Sequence, residues 1–466
     1  MLNHPPRITL AALKGGSGKT MVSVGLVAAW RRQGHRIAAF KKGPDFIDAG
    51  WLALAAGGPC RNLDPFLMTR EQIRRSFLVH SAQADLSLIE GNRGLFDGMD
   101  LEGRCSTAEL GRLVGSPVVL IVDVTMVTRT VAALVMGCQR FDPGLRIEGV
   151  ILNRVAGLRQ EGLTREAVER YCGIPVVGAI PKLKGNMFPE RHMGLVPLQE
   201  RDHAEKAVSW ARKVVEDHLD PAAVLDLARK APPLAGLIGN ENGTPAPAPH
   251  PDPPRIGLIR DRAFWFYYPE NIEQLSVRGA VPVEVDSLRD RDLPELDALY
   301  IGGGFPETQA EVLAENRPFR AALKRNIEAG LPVYAECGGL MYLGKSLLLE
   351  GKTYPMVDVL PLSFLLEKRP QGHGYTVMEV DRANPYFPVG KTLRGHEFHY
   401  SRPVAVRAEE LVSVFRVVRG RGLDGKRDGL CKKNLLATYT HLHGAGTPGW
   451  AEALFRAALG FRESKK

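Results

Sequence analysis

A glycine-rich loop near the start of the chain has the composition of a phosphate-binding site. It reads Lys14-Gly15-Gly16-Ser17-Gly18-Lys19-Thr20, and it lies between an apolar run over 7–13 and a helical pattern over 20–32. In such a strand–loop–helix context, glycine backbone N–H groups and the helix N-terminus surround phosphate oxygens. A lysine placed like Lys19 reaches the β- and γ-phosphates, and a hydroxyl placed like Thr20 binds Mg²⁺. The loop therefore predicts ATP and Mg²⁺ binding.

The loop departs from the standard phosphate-loop pattern, which has glycine five residues before Gly18, where this chain has Leu13. Lys14 instead makes it similar to the K-G-G-x-G-K-T loop of the deviant Walker ATPases. That superfamily includes partitioning and division-site ATPases, nitrogenase iron protein and dethiobiotin synthetase. The loop alone therefore predicts nucleotide use and leaves the reaction open.

A second segment, over 40–48, places two carboxylates close to a pair of lysines after a predicted strand. Ligands of α/β sheets bind where the strands end. Asp45 and Asp48 are candidates to hold Mg²⁺ directly or through water, with Asp45 the candidate metal ligand. Lys41 or Lys42 could neutralise a substrate carboxylate or an acyl phosphate. The alternative is a solvated loop with ordinary charge pairs.

A third segment, over 90–98, follows an apolar run over 86–89. A carboxylate at a strand tip beside a phosphate loop commonly serves Mg²⁺, so Glu90 is a candidate metal ligand. Asp97 lies among glycines and could bind or orient substrate, or it could merely build a turn. Asn153 ends a later apolar run and could pair with an adenine edge, since its amide both donates and accepts. An ordinary asparagine at the start of a loop is the alternative.

The second half of the chain contains a cysteine at a sharp strand-to-helix turn. Cys337 lies in the segment 333–341, after an apolar run and before Gly338. This pattern is typical of a nucleophile elbow, in which the side chain is exposed and nearby backbone N–H groups face the site. The N-terminus of a following helix lowers a thiol pKa and favours the thiolate. The pattern therefore predicts an activated nucleophile.

Two further segments offer the other parts of such a site. A glycine-rich turn after a strand contains Gly303 and Gly304, whose N–H groups, with that of Gly338, could hold an oxyanion. Downstream, the segment 438–444 contains two histidines and offers a general base. A lone buried cysteine is usually structural. The elbow, the glycine turn and the histidines in this order favour nucleophilic chemistry.

Both halves of the chain have the element pattern that would position these residues. In the first half, short apolar runs rich in Val and Ile alternate with helical stretches, which indicates βαβ units and a parallel sheet. A second α/β pattern starts after a break in the middle of the chain. The predicted strands lie at 7–13, 36–40, 86–90, 117–124, 149–155 and 176–180, and then at 255–259, 298–301, 331–335, 392–400 and 434–439.

The break between the two patterns is the segment 231–254, which is dense in proline. Such a composition is typical of a semi-rigid linker without a core of its own. A long surface loop within one domain is the alternative. We therefore predict a first domain over 1–230, a linker over 231–254 and a second domain over 255–466.

Composition limits the class of protein. The 466 residues exceed the usual size of one domain, and the six cysteines form no C-x-x-C pair, which disfavours zinc-ribbon and redox-pair sites. The net charge of +9 comes from scattered Lys and Arg, so we predict no nucleic-acid partner. No apolar run approaches the roughly 20 residues that span a membrane. We expect no membrane association and a cytoplasmic location.

Taken together, the motifs resemble those of the cobyrinate a,c-diamide synthases, the amidoligases of corrinoid biosynthesis. The elbow at Cys337 resembles that of class I glutamine amidotransferases. The matched motifs are K-x-G-P-D-Y-I-D at 41–48 with Phe46 for Tyr, E-G-x-x-G-L-Y-D-G at 90–98 with Phe96 for Tyr, G-G-G-Y-P-E at 302–307 with Phe305 for Tyr, G-H-E-F-H-Y-S at 395–401, and Tyr-x-His at 439–441.

The resemblance implies a fold and a division of labour. It implies an N-terminal ATP-dependent amidoligase domain with a phosphate loop and a dethiobiotin-synthetase-like parallel sheet. It also implies a C-terminal class I glutamine amidotransferase domain with a flavodoxin-like fold. The Tyr-x-His match makes His441 the expected base, with His443 as the second choice. Members of this branch are thought to lack the acidic third member of a catalytic triad, so we predict none.

The resemblance also implies the partners: L-glutamine, ATP and a tetrapyrrole polycarboxylate, with a homodimer left open. Ammonia released from glutamine in the second domain would be used in the first, where ATP–Mg²⁺ phosphorylates a ring acetate. The segments 92–93 and 40–42 are more similar to those of relatives that amidate siroheme or (Ni-)sirohydrochlorin. The resemblance therefore implies amidation of the a and c acetate carboxylates of cobyrinate, and a siroheme-type ring is the alternative acceptor.

Three rival functions remain at this point. A MinD- or ParA-like switch ATPase would use the loop that contains Lys14 but needs neither Cys337 nor His441. A dethiobiotin-synthetase-like ligase with a degenerate glutaminase domain disagrees with these two intact residues. A cobyric acid synthase generally lacks the 41–48 motif.

Overall fold

The computed structural model describes residues 6–183, 185, 188, 190–191, 194–195, 204–234, 251–406 and 411–465. The chain divides into two compact units, Met1–Asn240 and Glu241–Lys466. Most of the predicted linker 231–254 lies outside the described residues, so its conformation stays a prediction. Its first residues pack on the first unit, because the guanidinium of Arg7 donates to the carbonyl oxygen of Pro232.

The first unit is an α/β structure whose strands alternate with helices along the chain. Its strands are β1 (Arg7–Ala12), β2 (Ile37–Lys42), β3 (Cys60–Leu63), β4 (Leu86–Glu90), β5 (Val118–Asp123), β6 (Ile147–Val155), β7 (Val176–Pro181), β8 (Glu190–Arg191) and β9 (Gly194–Leu195). Its helices are α1 (Lys19–Arg32), α2 (Phe46–Ala56), α3 (Arg70–Ser81), α4 (Thr107–Leu113), α5 (Thr130–Phe141), α6 (Leu158–Cys172), α7 (Ala204–His218) and α8 (Pro221–Arg229).

Strands β1 to β7 form one parallel sheet in the order β3-β2-β4-β1-β5-β6-β7. Every residue of β1 and of β4 is buried, as expected for strands covered by helices on both faces. Since all seven strands run the same way, their C-terminal ends meet at one edge. The phosphate loop after β1 therefore lies beside the ends of β2, β4, β5 and β6. The predicted α/β architecture is confirmed.

One boundary differs from the predictions in a way that matters for the site. Lys41 and Lys42 are the last residues of β2, whereas we predicted that this strand ends at Phe40. The strand continues because it still has partners, with Lys41 in register with Glu90 and with Asn62. Glu90 ends β4 as predicted, and Asn153 lies inside β6, which ends at Val155 as predicted.

The second unit combines a parallel half with an antiparallel extension. Its strands are β10 (Arg255–Ile259), β11 (Phe264–Phe266), β12 (Val281–Val285), β13 (Ala298–Ile301), β14 (Gly303–Gly304), β15 (Val333–Glu336), β16 (Ser346–Leu349), β17 (Lys352–Pro355), β18 (Leu362–Leu366), β19 (Gly372–Val380), β20 (Thr392–His399), β21 (Ser401–Val406), β22 (Val412–Arg419), β23 (Arg427–Lys432), β24 (Leu435–Thr438) and β25 (His441–Leu442). Its helices are α9 (Pro269–Val277), α10 (Ala310–Glu315), α11 (Arg317–Glu328), α12 (Gly338–Leu343) and α13 (Trp450–Ser464).

The main sheet of this unit has the order β12-β10-β13-β15-β24-β23-β22-β19-β20-β25. Strands β12, β10, β13, β15 and β24 are parallel, and the others continue the sheet in antiparallel pairs. The five strands that we predicted in this half are observed within two residues at each end, whereas most of the antiparallel strands were not predicted. Within the described part of the chain, no helix is long and apolar enough to cross a membrane.

Candidate functional site

The phosphate loop borders open space. A side chain at Gly15 or Gly16 would meet nothing within 4 Å. The ammonium group of Lys19 donates to the carbonyl oxygen of Arg93 at 2.8 Å. Burial, with a contribution from the nearby Lys41, lowers the pKa of Lys19. The loop thus presents a partly desolvated lysine beside glycines that border open space, the arrangement that anionic phosphates require.

Residues at the end of β6 hold this loop. The side-chain amide of Asn153 donates to the carbonyl oxygen of Ser17 at 2.9 Å, so it contacts the loop, as a nucleotide-site residue should. The guanidinium of Arg154 donates to the carbonyl oxygen of Gly16 at 2.9 Å and to Asp123 at 2.7 Å. Sequence reasoning missed both Arg154 and Asp123. Asp123 could have been noticed as the carboxylate that ends a buried strand.

Five predicted residues meet next to the loop. The ammonium group of Lys41 lies 2.6 Å from an oxygen of Asp48 and 2.7 Å from Oε1 of Glu90. The hydroxyl of Thr20 donates to the same Glu90 oxygen at 2.8 Å. Asp45 caps α2, since its side chain accepts from the backbone N–H of Asp48 at 2.9 Å. We call these five residues the charge cluster.

The charge cluster has more carboxylates than cations. Burial lowers the pKa of Lys41, but the neighbouring Asp48 and Glu90 outweigh it and raise that pKa above its ordinary value. Burial raises the pKa of Glu90, and burial together with Asp48 raises the pKa of Asp45 to about 7. Burial also opposes ionisation of Asp48, yet Lys41 lowers its pKa. An additional cation would therefore stabilise the ionised cluster.

The donor set of the charge cluster fits Mg²⁺. The second oxygen of Glu90, Oε2, is buried and has no hydrogen-bond partner among the described residues. Thr20 adds a hydroxyl oxygen, and Asp45 and Asp48 add carboxylates nearby. In the described part of the chain, no three acidic, imidazole or thiol side chains form a metal cage by themselves. Mg²⁺ usually takes only one or two carboxylates and completes its shell with water and phosphate oxygens, so a cage is not required.

Three other predicted residues lie around the charge cluster. Lys14 is largely exposed, with its ammonium group 3.7 Å from Asp123. Asp97 accepts from the backbone N–H of Gly94 at 2.9 Å, so it closes the turn of its segment. Lys42 is buried, which lowers its pKa, and strand alternation places it on the face of β2 opposite Lys41. The structure brings only Lys41 of the lysine pair to the cluster.

The cysteine of the second unit lies at a strained turn. Cys337 stands between the last residue of β15 and the first residue of α12, and its backbone φ is 48°. A positive φ is uncommon outside glycine and is typical of residues constrained by function. Its N–H donates to the carbonyl oxygen of Thr438 at 2.7 Å, which fixes the turn to the neighbouring strand. The sharp strand-to-helix turn that we predicted is thus present, but the Cys337 side chain is buried, whereas we expected it to be exposed.

The state of the thiol differs from the prediction. Burial raises the pKa of Cys337, whereas we expected the helix N-terminus to lower it. The hydrogen bond from the Gly338 N–H favours the thiolate, but burial of the side chain and the nearby Glu307 carboxylate outweigh it. The resting thiol is therefore neutral, and its proton must pass to a base when it attacks.

The predicted oxyanion glycines lie against the elbow. A side chain added to Gly338 would come 3.0 Å from the backbone nitrogen of Gly304. A side chain added to Gly303 would come 2.3 Å from Cε1 of His441. The backbone of Gly304 has φ 155°, and a side chain there would collide with the Ala263 carbonyl oxygen. Glycine is therefore required where the loop, the elbow and the histidine meet.

The two candidate bases have different surroundings. Nδ1 of His441 lies 3.4 Å from Oε2 of Glu336, and its ring stacks on that of His396 at 4.9 Å. The ring of His443 instead packs on Tyr268 at 4.6 Å, and its Nε2 lies 3.7 Å from a carboxylate oxygen of Glu270. Since His441 is the one that contacts Gly303, the geometry favours it as the base.

Glu336 is a residue that sequence reasoning missed. We predicted no acidic partner for the base, yet this carboxylate directly precedes Cys337 and lies next to His441. The available signal was a carboxylate at the end of an apolar strand. A buried carboxylate needs a partner, so such a position indicates a polar contact, although not its identity.

Two protein families match the chain, one in each unit. The family described as "CobQ/CobB/MinD/ParA nucleotide binding domain" matches residues 8–196. The family described as "CobB/CobQ-like glutamine amidotransferase domain" matches residues 255–448. The first match includes the phosphate loop and the charge cluster, and the second includes the elbow and His441.

Full-length relatives share one name, cobyrinate a,c-diamide synthase. The relative from Magnetococcus marinus is 44% identical over 453 residues, which are 97% of either chain. The relative from Archaeoglobus fulgidus is 42% identical over 94% of either chain. The relative from Listeria innocua is 36% identical over 97% of this chain and 99% of its own.

The chain belongs to the cobyrinate a,c-diamide synthase family. The predicted family, the predicted enzyme class of amidoligase and the pairing of a nucleotide-binding domain with a glutamine amidotransferase domain are therefore confirmed. The roles of the individual residues follow as proposals.

Proposed function

We propose that this enzyme uses glutamine and ATP–Mg²⁺ to amidate the a and c acetate carboxylates of cobyrinate in cobalamin biosynthesis. The shared name of the relatives supports the acceptor, since they are similar to this chain along nearly its whole length. The observation that carries the proposal is that one chain contains two chemically complementary sites. One has the charges that phosphoryl transfer requires, and the other has a cysteine at a strained turn beside glycines and a histidine, which amide cleavage requires.

The two sites solve two separate problems of the reaction. A carboxylate is a poor electrophile at neutral pH, so ATP must convert it into an acyl phosphate. Ammonia is mostly protonated at that pH and therefore scarce as a nucleophile, so glutamine must supply it. An enzyme with only one of these sites would leave the other problem unsolved.

In the glutaminase reaction, His441 takes the proton of the Cys337 thiol as the sulfur attacks the amide carbon of glutamine. The N–H groups of Gly303, Gly304 and Gly338 hold the resulting oxyanion. When the carbon–nitrogen bond breaks, His441 returns the proton to the leaving nitrogen and ammonia is released. Water then cleaves the thioester to give glutamate and restores the thiol.

In the synthetase reaction, a carboxylate oxygen of the acceptor attacks the γ-phosphorus of ATP, and the bond to ADP breaks. Lys19 and the backbone N–H groups of the phosphate loop hold the phosphates. Lys41 neutralises the carboxylate or the acyl phosphate. Ammonia then attacks the acyl carbon, phosphate leaves, and an amide remains. A second acetate follows in the same way.

The remaining nucleotide-site residues hold the reactants. Thr20, Asp45 and Glu90 would hold Mg²⁺, which when bound offsets the negative charge of the phosphates. Asn153 would face the adenine side of the phosphate loop. Asp48 keeps Lys41 in place through their ion pair. Asp97 fixes the turn that follows β4 and so positions the backbone beside the acceptor.

The acceptor is tested by a paired amidation assay. The purified enzyme receives glutamine and ATP–Mg²⁺ with either cobyrinic acid or siroheme, and product masses are measured. We expect cobyrinic acid alone to show the mass change of two hydroxyl-to-amino replacements. Amidation of siroheme alone would replace cobyrinate by a siroheme-type ring. Glutaminase activity without either product would contradict both acceptors.

A further inference from the structure

Glu336 is held in one place by three groups. Its Oε1 accepts from the backbone N–H of Leu442 at 3.1 Å, and its Oε2 accepts from the hydroxyl of Tyr300 at 3.1 Å. The same Oε2 lies 3.4 Å from Nδ1 of His441. A carboxylate oxygen has two acceptor sites, so it can receive both the hydroxyl and the ring N–H. The side chain is almost completely buried.

A second layer of contacts fixes the partners of Glu336. The side-chain amide of Asn271 donates to the hydroxyl of Tyr300 at 3.2 Å and to the carbonyl oxygen of Leu442 at 2.9 Å. Its oxygen accepts from the backbone N–H of Gly444 at 2.6 Å. The carboxylate and the short strand that contains His441 therefore belong to one hydrogen-bonded network.

We propose that Glu336 is the positioning residue of the glutaminase base. Its carboxylate directs Nδ1 of His441, which leaves Nε2 to handle the proton of Cys337, and it stabilises the imidazolium that forms when the thiol loses that proton. The residue thus does the work of an acidic third triad member from the position just before the nucleophile. This inference rests on the proposed glutaminase reaction.

The other buried glutamates near histidines have different contacts. Glu397 lies 3.5 Å from His399, but it accepts from the backbone N–H of Gly422 at 2.8 Å and also from that of Arg421, so it mainly fixes a loop. Glu270 lies 3.7 Å from Nε2 of His443, whose ring packs on Tyr268. Glu336 is the one whose histidine reaches Gly303.

The test is Glu336→Gln, which keeps the size and one acceptor oxygen but removes the charge. Hydrogen bonds to charged groups contribute more free energy than those between neutral groups, so we expect kcat of glutamine hydrolysis to fall about 10- to 100-fold. The KM for glutamine and the amidation driven by ammonium salts should stay near the wild-type values. The acid limb of the pH profile for glutamine should move to lower pH, because the protonated imidazole loses its partner.

Two matched variants separate positioning from simple stability. Glu336→Asp keeps the charge and should recover part of kcat. Glu270→Gln removes a buried carboxylate next to the other candidate base and should leave glutamine hydrolysis unchanged. All variants are compared for melting temperature and for ammonium-driven amidation, which report the fold independently of the glutaminase site.

Three outcomes would overturn the inference. Glu336→Gln could keep the wild-type kcat and pH profile while Cys337→Ser is inactive. The Gln and Asp variants could lose activity equally, together with melting temperature, which would show a structural role. Glu270→Gln, rather than Glu336→Gln, could lower kcat of glutamine hydrolysis, which would make His443 the base. Absence of glutamine hydrolysis in the wild type would instead refute the proposed function.

Discussion

The two sites of this chain consist of different kinds of chemical group. The site of the first unit concentrates ionic groups, with Lys41 bridging Asp48 and Glu90 beside an open phosphate loop. In the site of the second unit, the carboxylate beside the base, Glu336, is buried. Its other parts are a buried thiol at a strained turn, stacked imidazoles and glycines that leave no room for side chains.

This difference follows from what each reaction must stabilise. Phosphoryl transfer moves a group that is strongly charged before, during and after the step, so its site needs permanent cations. Attack on an amide creates charge only transiently, so its site needs fixed backbone donors and a proton acceptor in dry surroundings. Removal of a charge should therefore impair mainly the site of the first unit, whereas an added methyl group should impair mainly the site of the second unit.

The largest effect is expected for variants that disable one of the two reactions and leave the other intact. Cys337→Ser should lower glutamine-dependent amidation by at least about 10³-fold, because it removes the nucleophile. Lys19→Ala should lower amidation by at least about 10²-fold with either nitrogen donor, because the anionic phosphates lose the cation that binds them. The measurement is product formation with glutamine and with ammonium chloride, alongside glutamate release.

The decisive part of that measurement is which of the two activities each variant keeps. Cys337→Ser should retain amidation from ammonium chloride, and Lys19→Ala should retain glutamate release. If Cys337→Ser lost both activities equally, the assignment of one reaction to each unit would be wrong. If Lys19→Ala lost glutamate release, the loop would be required by both reactions.

The second prediction concerns the stability of the ionic site. Lys41→Met leaves the buried Glu90 and the partly buried Asp48 without their cation, and breaking a buried ion pair typically costs about 3–5 kcal/mol. We expect the melting temperature to fall and to recover in part when Mg²⁺ is added. Mg²⁺ should raise the melting temperature of the wild type less, since Lys41 already supplies a positive charge.

The neighbouring Lys42 provides the matched control. It is also buried, but burial lowers its pKa, and it lies on the other face of the strand. Lys42→Met should therefore cost less, and Mg²⁺ should not correct the loss. Equal losses in the two variants, with no response to Mg²⁺, would show that Lys41 does not balance the charge cluster.

The third prediction compares one glycine from each site. Gly303→Ala forces a methyl group against His441, and such overpacking typically costs roughly 1–3 kcal/mol. It should also slow glutamine hydrolysis and spare ammonium-driven amidation. Gly15→Ala meets open space and should change the free energy of unfolding by less than about 0.5 kcal/mol. Thermal melting and glutamine hydrolysis check both variants.

A reversed order would contradict this comparison. If Gly15→Ala destabilised the chain more than Gly303→Ala, the loop would be the tightly packed site. Addition of ATP provides a further check, because a methyl group at Gly15 approaches the phosphates. Gly15→Ala should therefore reduce the stabilisation by ATP, whereas Gly303→Ala should not.

Features set by short stretches of sequence could be predicted. The phosphate loop, the cysteine elbow and the parallel strands were found because glycine spacing and apolar runs are local signals. Strands such as β22 were missed, because its burial alternates weakly and exposed charges interrupt it. The sequence of the antiparallel half of the second sheet therefore contains only a weak pattern of apolar residues from which strands could be predicted.

The contacts that complete each site could not be predicted, because they depend on the fold. Glu336 and His441 are far apart in the sequence, and only the order of β15, β24 and the antiparallel strands brings them together. Arg154 reaches the phosphate loop in the same way. The neutral state of Cys337 was missed because the motif shows the helix N-terminus but not the depth of burial.

The smallest effect should be a pH-dependent change at Asp45. Its pKa is about 7 in the folded chain, above its ordinary 3.8, because burial and Asp48 disfavour the charged form. Between these two values the folded state binds more protons than the unfolded state, so stability falls as the pH rises through this window. Asp45→Asn removes that titration and keeps an N-cap acceptor for the backbone N–H of Asp48. The variant should therefore gain stability relative to the wild type between pH 5 and pH 8, by on the order of 1 kcal/mol, since Asp45 keeps some exposure to solvent.

The check is thermal melting of both proteins at the two pH values without Mg²⁺ or nucleotide. Asp220→Asn is the matched control, because Asp220 caps α8 in the same way but is exposed. Its difference from the wild type should be the same at both pH values. Addition of Mg²⁺ should reverse the advantage of Asp45→Asn, because the cation stabilises the ionised carboxylate that the variant lacks. An advantage that does not change with pH would mean that Asp45 is already ionised at pH 5, and the excess negative charge of the cluster would then be balanced without a metal.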